Sequence, residues 1–290
     1  RAYGPRRAAR RLVDTTPRPA RLNDLSDPPD VLYSVGSLAM LDAPTVTLVG
    51  SRQATAYGER IARMLGSAFA RAGVSVISGL AYGIDVAARR AALDAGGNVC
   101  AVLGTGLDVF YPSSHRRLQQ TIAERGLLLS EYAAGTTARQ WHFPQRNRLM
   151  AALGQATIVI EAGATSGALL TAAVALELGR AVGAVPGNID SPESRGTNDL
   201  LHRKEVALVT DVSSALALLE ASPSTRRFEL QPDEAAVWRA LPAASVDDLV
   251  ARTTLPTPRC LAAIASLELA QVVTVGYDGS IRRCVTGDIS

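Results

Sequence analysis

Seven short apolar runs, rich in β-branched residues, alternate with helical patterns between residues 45 and 220 and constrain the fold more than any other feature. Most of them are continuously apolar, which is typical of parallel strands covered by helices on both faces of a sheet. The alternation therefore predicts a doubly wound α/β domain. The predicted strands are 45–50, 74–78, 98–103, 126–130, 156–162, 181–185 and 206–210.

The segment 221–232 loses this periodicity and contains two prolines, so we predict a linker there. Three helical patterns follow, and after them comes a hairpin pattern with Asp278 and Gly279 at its turn. Three helices followed by a hairpin is the order of a winged helix, which we predict for residues 233–290. The predicted helices are 233–241, 245–253 and 257–269.

Arginines are concentrated at the start of the chain. Seven arginines and one aspartate give residues 1–21 a charge of +6, so the overall charge of +3 leaves −3 for residues 22–290. Any polyanion bound by this acidic body must be held by a local cluster of cations. Residues 1–27 are predicted to form a basic arm that is either solvated or in contact with nucleic acid. Because the sequence does not begin with Met, we expect this arm to be truncated.

Neither a signal peptide nor an apolar run of roughly 18 to 20 residues is evident, so no membrane span is predicted and a cytoplasmic location is expected. Three widely spaced cysteines fit neither a disulfide framework nor zinc ligation. Cys100 lies in an apolar strand and is predicted to be a small buried side chain rather than a reactive thiol.

The turn after the first predicted strand departs from the pattern of dinucleotide-binding proteins. In "TVTLVGSRQATAYG", Gly50 ends the strand, but the next two glycines of the fingerprint are replaced by Arg52 and Thr55. A guanidinium group binds phosphate in a bidentate manner, so we predict that Arg52 is a phosphate ligand. The alternative is a surface arginine paired with a nearby carboxylate.

Glycine and serine end five of the seven predicted strands. Ligands of open α/β sheets bind at the carboxyl ends of the strands, where N–H groups of helices converge. We interpret these residues as a rim of open N–H donors for an anion, although each one alone is explained by a tight turn. They include Gly50, Ser51, Ser78, Gly79, Gly104, Gly106, Gly163, Ser166, Gly167 and Gly187.

The segment "RQWHFPQRNRLMAAL", residues 139–153, places arginines and aromatic residues at a helix start marked by Pro144. Arginine for phosphate and aromatic rings for base stacking are the two components of single-strand recognition. Packing in the core explains Trp141 or Phe143 equally well. The arginines are Arg139, Arg146 and Arg148.

Signals for catalysis are weak. The sequence has no Walker A motif and no G-x-S-x-G nucleophile elbow, and its three histidines lack the spacing of metal ligands. Four carboxylates lie near strand ends or helix starts, where two of them would be enough for an acid/base pair. Helix capping and turn formation also explain them, and we favour this second interpretation. These are Asp85, Asp108, Glu131 and Glu161.

Ordered motifs between about residues 28 and 215 resemble the DNA-processing protein A family (DprA, also called Smf). The resemblance implies an extended Rossmann-like domain that binds single-stranded DNA, forms a homodimer and loads RecA recombinase during natural transformation, without a nucleotide cofactor. The motifs are "PPDVLYSVGSL", "VGSRQATAYG", "VISGLAYGIDVAARRAAL", "AVLGTGLDVFYPSSHRRL", "LLSEYAAGT", "HFPQRNRLMAAL", "VIEAGATSGALLTAAVALELGRAVGAVPG" and "SRGTNDLL".

By motif matching, Arg52 in "GSR" would hold phosphate and the "FPQRNR" residues would border the nucleotide pocket. The chain departs from the family pattern at Arg89 (usually histidine), His115 (usually asparagine) and Gln140 (usually basic). The last departure removes one phosphate contact that the resemblance implies, for which we expect the neighbouring Arg139 to substitute. The predicted DNA-binding residues are Gly50, Ser51, Arg52, Ser78, Gly79, Arg139, Phe143, Arg146, Asn147, Arg148, Ser166 and Gly167.

The sequence thus predicts a recombination mediator that binds single-stranded DNA and has no catalytic step, cofactor or metal. The alternative is a nucleoside-monophosphate phosphoribohydrolase that resembles the lonely-guy and lysine-decarboxylase-like Rossmann proteins. These enzymes carry a catalytic glutamate soon after a glycine-rich turn, but here no carboxylate lies between Glu161 and Glu177. An interaction scaffold without nucleic-acid binding is the third possibility.

Overall fold

The computed structural model describes residues 13–14, 18–220, 230–269, 273–276 and 279–283. The chain divides into two compact units, residues 1–221 and 222–290. Most of the predicted linker, residues 221–229, lies outside the described residues.

One sheet of nine strands organises the described part of the first unit. The strand order is β1-β2-β6-β5-β4-β3-β7-β8-β9, in which β3 to β9 are parallel and the pairs β1/β2 and β2/β6 are antiparallel. The strands are β1 (Val13–Asp14), β2 (Tyr33–Gly36), β3 (Thr45–Val49), β4 (Ser75–Ser78), β5 (Val99–Leu103), β6 (Leu127–Ser130), β7 (Ala156–Val159), β8 (Ala181–Ala184) and β9 (Val206–Leu208). All seven predicted strands are confirmed, and β1 and β2 are additional strands that were not predicted.

The helices of the described residues follow the expected alternation with the strands. They are α1 (Ala56–Arg71), α2 (Ile84–Asp94), α3 (Arg116–Arg125), α4 (His142–Leu153), α5 (Gly167–Glu177), α6 (Arg195–Leu200), α7 (Val212–Glu220), α8 (Pro232–Ala240), α9 (Val246–Thr253) and α10 (Thr257–Leu269). None of the helices in the described ranges is both long and apolar enough to cross a bilayer.

Two apolar clusters sandwich the sheet and explain the continuous apolar runs. Every residue of β3 to β7 is buried, because successive side chains enter opposite faces that are both covered. Leu48 packs on the face of α1, in one cluster with Phe69. Cys100 packs on the opposite face, where burial raises the pKa of its thiol to about 12. This confirms the buried, unreactive side chain predicted for Cys100.

Helix α4 is fixed to the central strand β3 at its carboxyl end. The Thr47 hydroxyl donates a 2.7 Å hydrogen bond to the carbonyl oxygen of Met150, and the Thr45 hydroxyl donates one of 2.9 Å to that of Leu153. The arginine and aromatic residues at the start of α4 are therefore held in a fixed position over the sheet.

Residues 18–27, which we assigned to the basic arm, pack onto the first unit. Leu22 is fully buried in the second apolar cluster. Arg21 Nη1 donates to Thr45 Oγ1 at 2.8 Å and to the Leu153 carbonyl at 3.2 Å. These contacts show that Arg21 anchors the segment to the sheet. The other residues of the arm, 1–12 and 15–17, lie outside the described residues.

The second unit contains α8, α9 and α10, followed by the antiparallel strands β10 (Val273–Val275) and β11 (Ile281–Arg283). Its core includes Trp238, Leu249 and Ile264. This order of elements confirms the predicted winged helix. The predicted turn residue Asp278 lies outside the described residues, whereas its neighbour Gly279 has a φ of 78°.

Candidate functional site

From β3 the chain adds β4, β5 and β6 on one side of the sheet and then returns to add β7, β8 and β9 on the other side. An open α/β sheet binds ligands at such a switch point, here between β3 and β7. A cavity of about 570 Å³ lies there, at the carboxyl ends of the strands, and we call it the strand-end cavity. It is bordered by the turn after β3, the first half of α4 and the start of α5. Seven predicted residues line it: Gly50, Ser51, Arg52, Arg146, Asn147, Ser166 and Gly167.

Arg52 and Arg146 also line a smaller pocket of about 50 Å³, which is therefore next to the strand-end cavity. We call it the aromatic pocket, since Phe143 and Tyr111 form part of its wall with ring centres 5.4 Å apart. The Arg52 guanidinium lies 5.1 Å from the centre of the Phe143 ring, which is a cation–π contact. Gly79 also lines this pocket. Phosphate-binding and base-stacking groups are thus adjacent.

Arg146 is the most unusual residue of the site, because its charged side chain is only 5% exposed. Its Nη1 donates a 2.6 Å hydrogen bond to the Val102 carbonyl, and its Nε has no partner among the described residues. Burial lowers the pKa of Arg146 to about 10, against the opposing charge of Asp85. The side chain therefore remains charged at neutral pH, with a donor atom unused.

The guanidinium of Arg146 lies against the backbone of Gly79, where a Cβ atom would overlap it. Gly79 is held from both sides: Asp85 Oδ2 accepts its N–H at 3.1 Å, and Arg89 Nη2 donates to its carbonyl at 2.9 Å. Arg89 is fully buried, and burial lowers its pKa to about 10. Sequence analysis identified Arg89 only as a departure from the family pattern. In the structure, Arg89 holds the Gly79 backbone against which the Arg146 guanidinium packs.

The loop that follows Gly79 is strained. Leu80 has a φ of 105°, a conformation that a residue with a Cβ rarely adopts. Asp85 Oδ2 accepts the N–H of Ala81 at 3.3 Å, and His115 Nδ1 lies 3.1 Å from the Leu80 carbonyl oxygen. Three buried polar side chains, Asp85, Arg89 and His115, therefore hold the loop that borders both pockets.

The interpretation that strand-end N–H groups are open to an anion is wrong for five of them. The N–H groups of Ser51, Gly106 and Ser166 donate to the carbonyl oxygens of Glu161, Thr136 and Gly163, and those of Gly79 and Gly187 donate to the side chains of Asp85 and Asn198, all at 2.6 to 3.1 Å. Several of these acceptors belong to segments that are distant in the sequence, such as Glu161 for Ser51 and Thr136 for Gly106. Attraction for an anion must come instead from the two arginines and from the start of α5.

The start of α5, which is the positive end of the helix dipole, faces the strand-end cavity. Ser166 caps this helix by accepting the N–H of Ala168 at 3.3 Å. Asn147 Nδ2 donates to the Gly167 carbonyl at 3.2 Å and so ties α4 to the same turn. Thr171, whose hydroxyl was not predicted as a site group, is buried in the cavity wall without a hydrogen-bond partner among the described residues.

Three predicted residues do not line either pocket. Ser78 is buried, with an unpaired hydroxyl, beneath the loop. Arg139 is exposed beside the start of α4. Arg148 forms an ion pair with Glu131 and lies 3.8 Å from Asp27, so its charge is already balanced. DNA contacts by these three side chains stay predictions.

Glu161, the carboxylate that the hydrolase alternative would need, serves as a helix cap. It accepts the N–H of Thr55 at 2.8 Å and its hydroxyl at 2.5 Å, just before α1. The carboxylates that do line the strand-end cavity are Asp85, which holds the loop, and Glu193, which sequence analysis missed. Wherever side chains are described, no three of the metal-ligating types form a cluster.

Comparison with known proteins gives a consistent result. The family model described as DNA recombination-mediator protein A matches residues 12–220, and the DprA winged helix domain matches residues 221–279. A putative DNA processing protein DprA of Mycobacterium tuberculosis is 41% identical over 266 residues, which cover 87% of this chain and 68% of the relative. DNA processing protein DprA of Streptococcus pneumoniae is 42% identical over 202 residues, which cover 70% of this chain and 71% of the relative.

Solved structures agree with these relatives. The crystal structure of S. pneumoniae DprA matches with a TM-score of 0.67 at 42% identity, covering 69% of this chain and 70% of that one. DNA processing protein A from Helicobacter pylori, studied for its single-stranded DNA binding mode, matches with a TM-score of 0.65 at 31% identity. That match covers 70% of this chain and 93% of the other.

Proposed function

The chain belongs to the DNA recombination-mediator protein A family, and on that premise we propose that it binds single-stranded DNA in the strand-end cavity and the aromatic pocket. The H. pylori relative, which binds single-stranded DNA, supports this ligand. The body of the chain is slightly acidic, so binding depends on a local cluster of cations rather than on overall charge.

The observation that carries the proposal is the buried, charged Arg146 next to Arg52, which itself lies over Phe143. A phosphate beside the two guanidinium groups would compensate the desolvated charge of Arg146. The base attached to that nucleotide would stack in the aromatic pocket. Because phosphates and ring faces are common to all nucleotides, recognition is largely independent of sequence.

We further propose that the protein acts without a catalytic step or nucleotide cofactor, as a cytoplasmic homodimer that protects incoming strands and loads RecA recombinase on them. The family description as a recombination mediator supports this role. The test is the RecA ATPase rate on single-stranded DNA coated by a competing binding protein, which the full chain should increase. An unchanged rate would leave DNA binding intact and remove RecA loading from the proposal.

Titration with a labelled oligothymidylate tests the binding itself. We expect the logarithm of the affinity to fall linearly with the logarithm of the salt concentration, by about 0.7 per phosphate neutralised. Fluorescence anisotropy at four or more salt concentrations measures this slope. Affinity that does not change between low and high salt would contradict phosphate binding by the arginines.

Deletion of residues 223–290 is expected to leave the affinity for single strands within about tenfold, or 1.4 kcal/mol. A winged helix reads DNA with polar side chains of its third helix, but here Arg259 of α10 is paired with Asp233 at 2.6 Å. Leu261 and Leu269 of the same helix are exposed, which favours a protein-contact role for residues 233–290. We propose residues 28–220 as the strand-binding domain.

The matched titration uses full-length and truncated chains with the same labelled strand and with duplex. Residues 222–290, which form a compact unit, serve as the separate third sample. A hundredfold loss on single strands, or tight duplex binding by residues 222–290 alone, would assign DNA binding to the winged helix instead.

A further inference from the structure

Trp141, immediately before α4, exposes 56% of its surface, the largest exposed fraction among the aromatic side chains whose burial is described. It does not line either pocket and has no part in the binding model above. An indole group is large and mostly apolar, so leaving it in water forgoes a substantial gain in free energy from burial. Tryptophan is enriched at interfaces, where its apolar ring contacts a ligand or partner.

Neighbouring rings hold Trp141 in place. Its ring lies edge-to-face with His142, with centres 4.1 Å apart, and with Tyr132 at 6.5 Å. The rings of Tyr132 and His142 stack on each other at 4.0 Å. The Tyr132 hydroxyl also donates to Gln145 Oε1 at 3.1 Å, which fixes the group to α4. Trp141 is therefore a supported platform rather than a loose surface side chain.

This platform is connected to the aromatic pocket through one strand end. His142 Nδ1 lies 2.9 Å from the carbonyl oxygen of Gly104, and Gly104 lines the aromatic pocket next to the ring of Phe143. Trp141 packs edge-to-face on His142, so the indole lies one side chain away from the wall of the aromatic pocket. A strand with one base in the aromatic pocket would run past this wall and bring an adjacent nucleotide to Trp141.

The charges around Trp141 suit an anionic strand. Arg139, two residues before it, is exposed, and Arg52 is exposed on the far side of Phe143. The nearby carboxylate of Glu131 is paired with Arg148. An aromatic ring flanked by exposed arginines is the combination that binds successive bases of a single strand.

We propose that Trp141 is a second base-stacking position, which holds the nucleotide adjacent to the one in the aromatic pocket. The inference rests on the proposed function, since it needs a strand bound by Arg52 and Arg146. It extends that function by adding a contact outside both pockets, and it commits the exposed indole to a nucleobase rather than to a protein partner.

Tryptophan fluorescence tests this position directly. The chain has two tryptophans, and the other, Trp238, is buried in the second unit. In a Trp238→Phe variant, saturating oligothymidylate should quench and shift the emission of Trp141.

The affinity of a Trp141 variant is the second measurement. Trp141→Ala should weaken binding of a twenty-nucleotide oligothymidylate by about fivefold or more. Trp141→Phe should retain most of the affinity, and the salt slope should stay unchanged because no phosphate contact is lost.

Leu208→Ala is the matched control, because Leu208 is 53% exposed but lies on β9, two strands away from β7. It should bind like the unaltered protein. If Arg146→Met weakens binding but Trp141 emission and Trp141→Ala affinity do not change, the second position is wrong and the proposed function stands. If the unaltered protein binds no oligothymidylate, both are overturned.

Discussion

Arg146→Met is expected to weaken binding of single-stranded DNA by about 30- to 150-fold, or roughly 2 to 3 kcal/mol, without destabilising the fold. The arginine is buried, its pKa is lowered to about 10, and its Nε has no hydrogen-bond partner in the described part of the chain. Such a charge gains most of its compensation only when a phosphate arrives. Methionine fills a similar space without a charge to desolvate, and Asp85 keeps the charge of Arg89 beside it. The free energy of unfolding should therefore stay within about 1 kcal/mol of that of the unaltered protein, although the hydrogen bond to Val102 is lost.

The measurements are anisotropy titration at one salt concentration and urea unfolding of the same samples. Arg148→Met is the matched control from the same helix. Because Arg148 is paired with the largely buried Glu131, its loss should lower the free energy of unfolding and leave affinity within about threefold. A loss of affinity at Arg148 equal to that at Arg146 would instead restore the predicted DNA contact of Arg148.

These two arginines show what a sequence motif can and cannot predict. The segment "FPQRNR" suggests one function for both, but they are two residues apart on α4 and therefore point to nearly opposite sides of the helix. One reaches the carboxyl ends of the strands and the other reaches Glu131. The groups that surround each arginine, Val102 for Arg146 and Glu131 for Arg148, belong to segments that are distant from α4 in the sequence.

The fold was more predictable than the site, for a related reason. Burial on both faces leaves a local signal, the continuous apolar run, in most of the seven parallel strands. Strand β2 leaves a weaker one, because only two of its four residues are buried and it lies in a proline-containing segment. Its pairing with β6 spans more than ninety residues of sequence. Few local features reveal a pairing of this kind.

The state of the strand-end N–H groups was not predictable at all. Glycine and serine do mark the turns, but whether their N–H groups are open depends on acceptors elsewhere in the chain. The acceptor for Ser51 is the carbonyl of Glu161, and the acceptor for Gly79 is the carboxylate of Asp85. The site that remains uses guanidinium groups and one helix start in place of a rim of backbone donors.

Asp85→Asn is expected to lower the free energy of unfolding by about 2 to 4 kcal/mol, as for the loss of one partner in a buried charge network. Asp85 is 5% exposed, and its charge stabilises the charged forms of both Arg89 and Arg146, which raises their pKa values. It also accepts the two N–H groups that hold the loop around Leu80. Asparagine keeps an acceptor oxygen but removes the negative charge. Among the described residues, Asp85 is the only carboxylate that raises the pKa of both Arg89 and Arg146.

A double-mutant cycle separates these roles. If the main cost is uncompensated positive charge, Asp85→Asn combined with Arg89→Met should recover at least half of the stability that Asp85→Asn loses. Strictly additive losses in urea unfolding would show instead that Asp85 acts through its hydrogen bonds to the loop. The affinity of the folded Asp85→Asn protein for oligothymidylate should not decrease, because Asp85 lines the strand-end cavity as an anion that opposes phosphate. A large loss of affinity at unchanged stability would mean that the loop, rather than the charge of Arg146, controls strand binding.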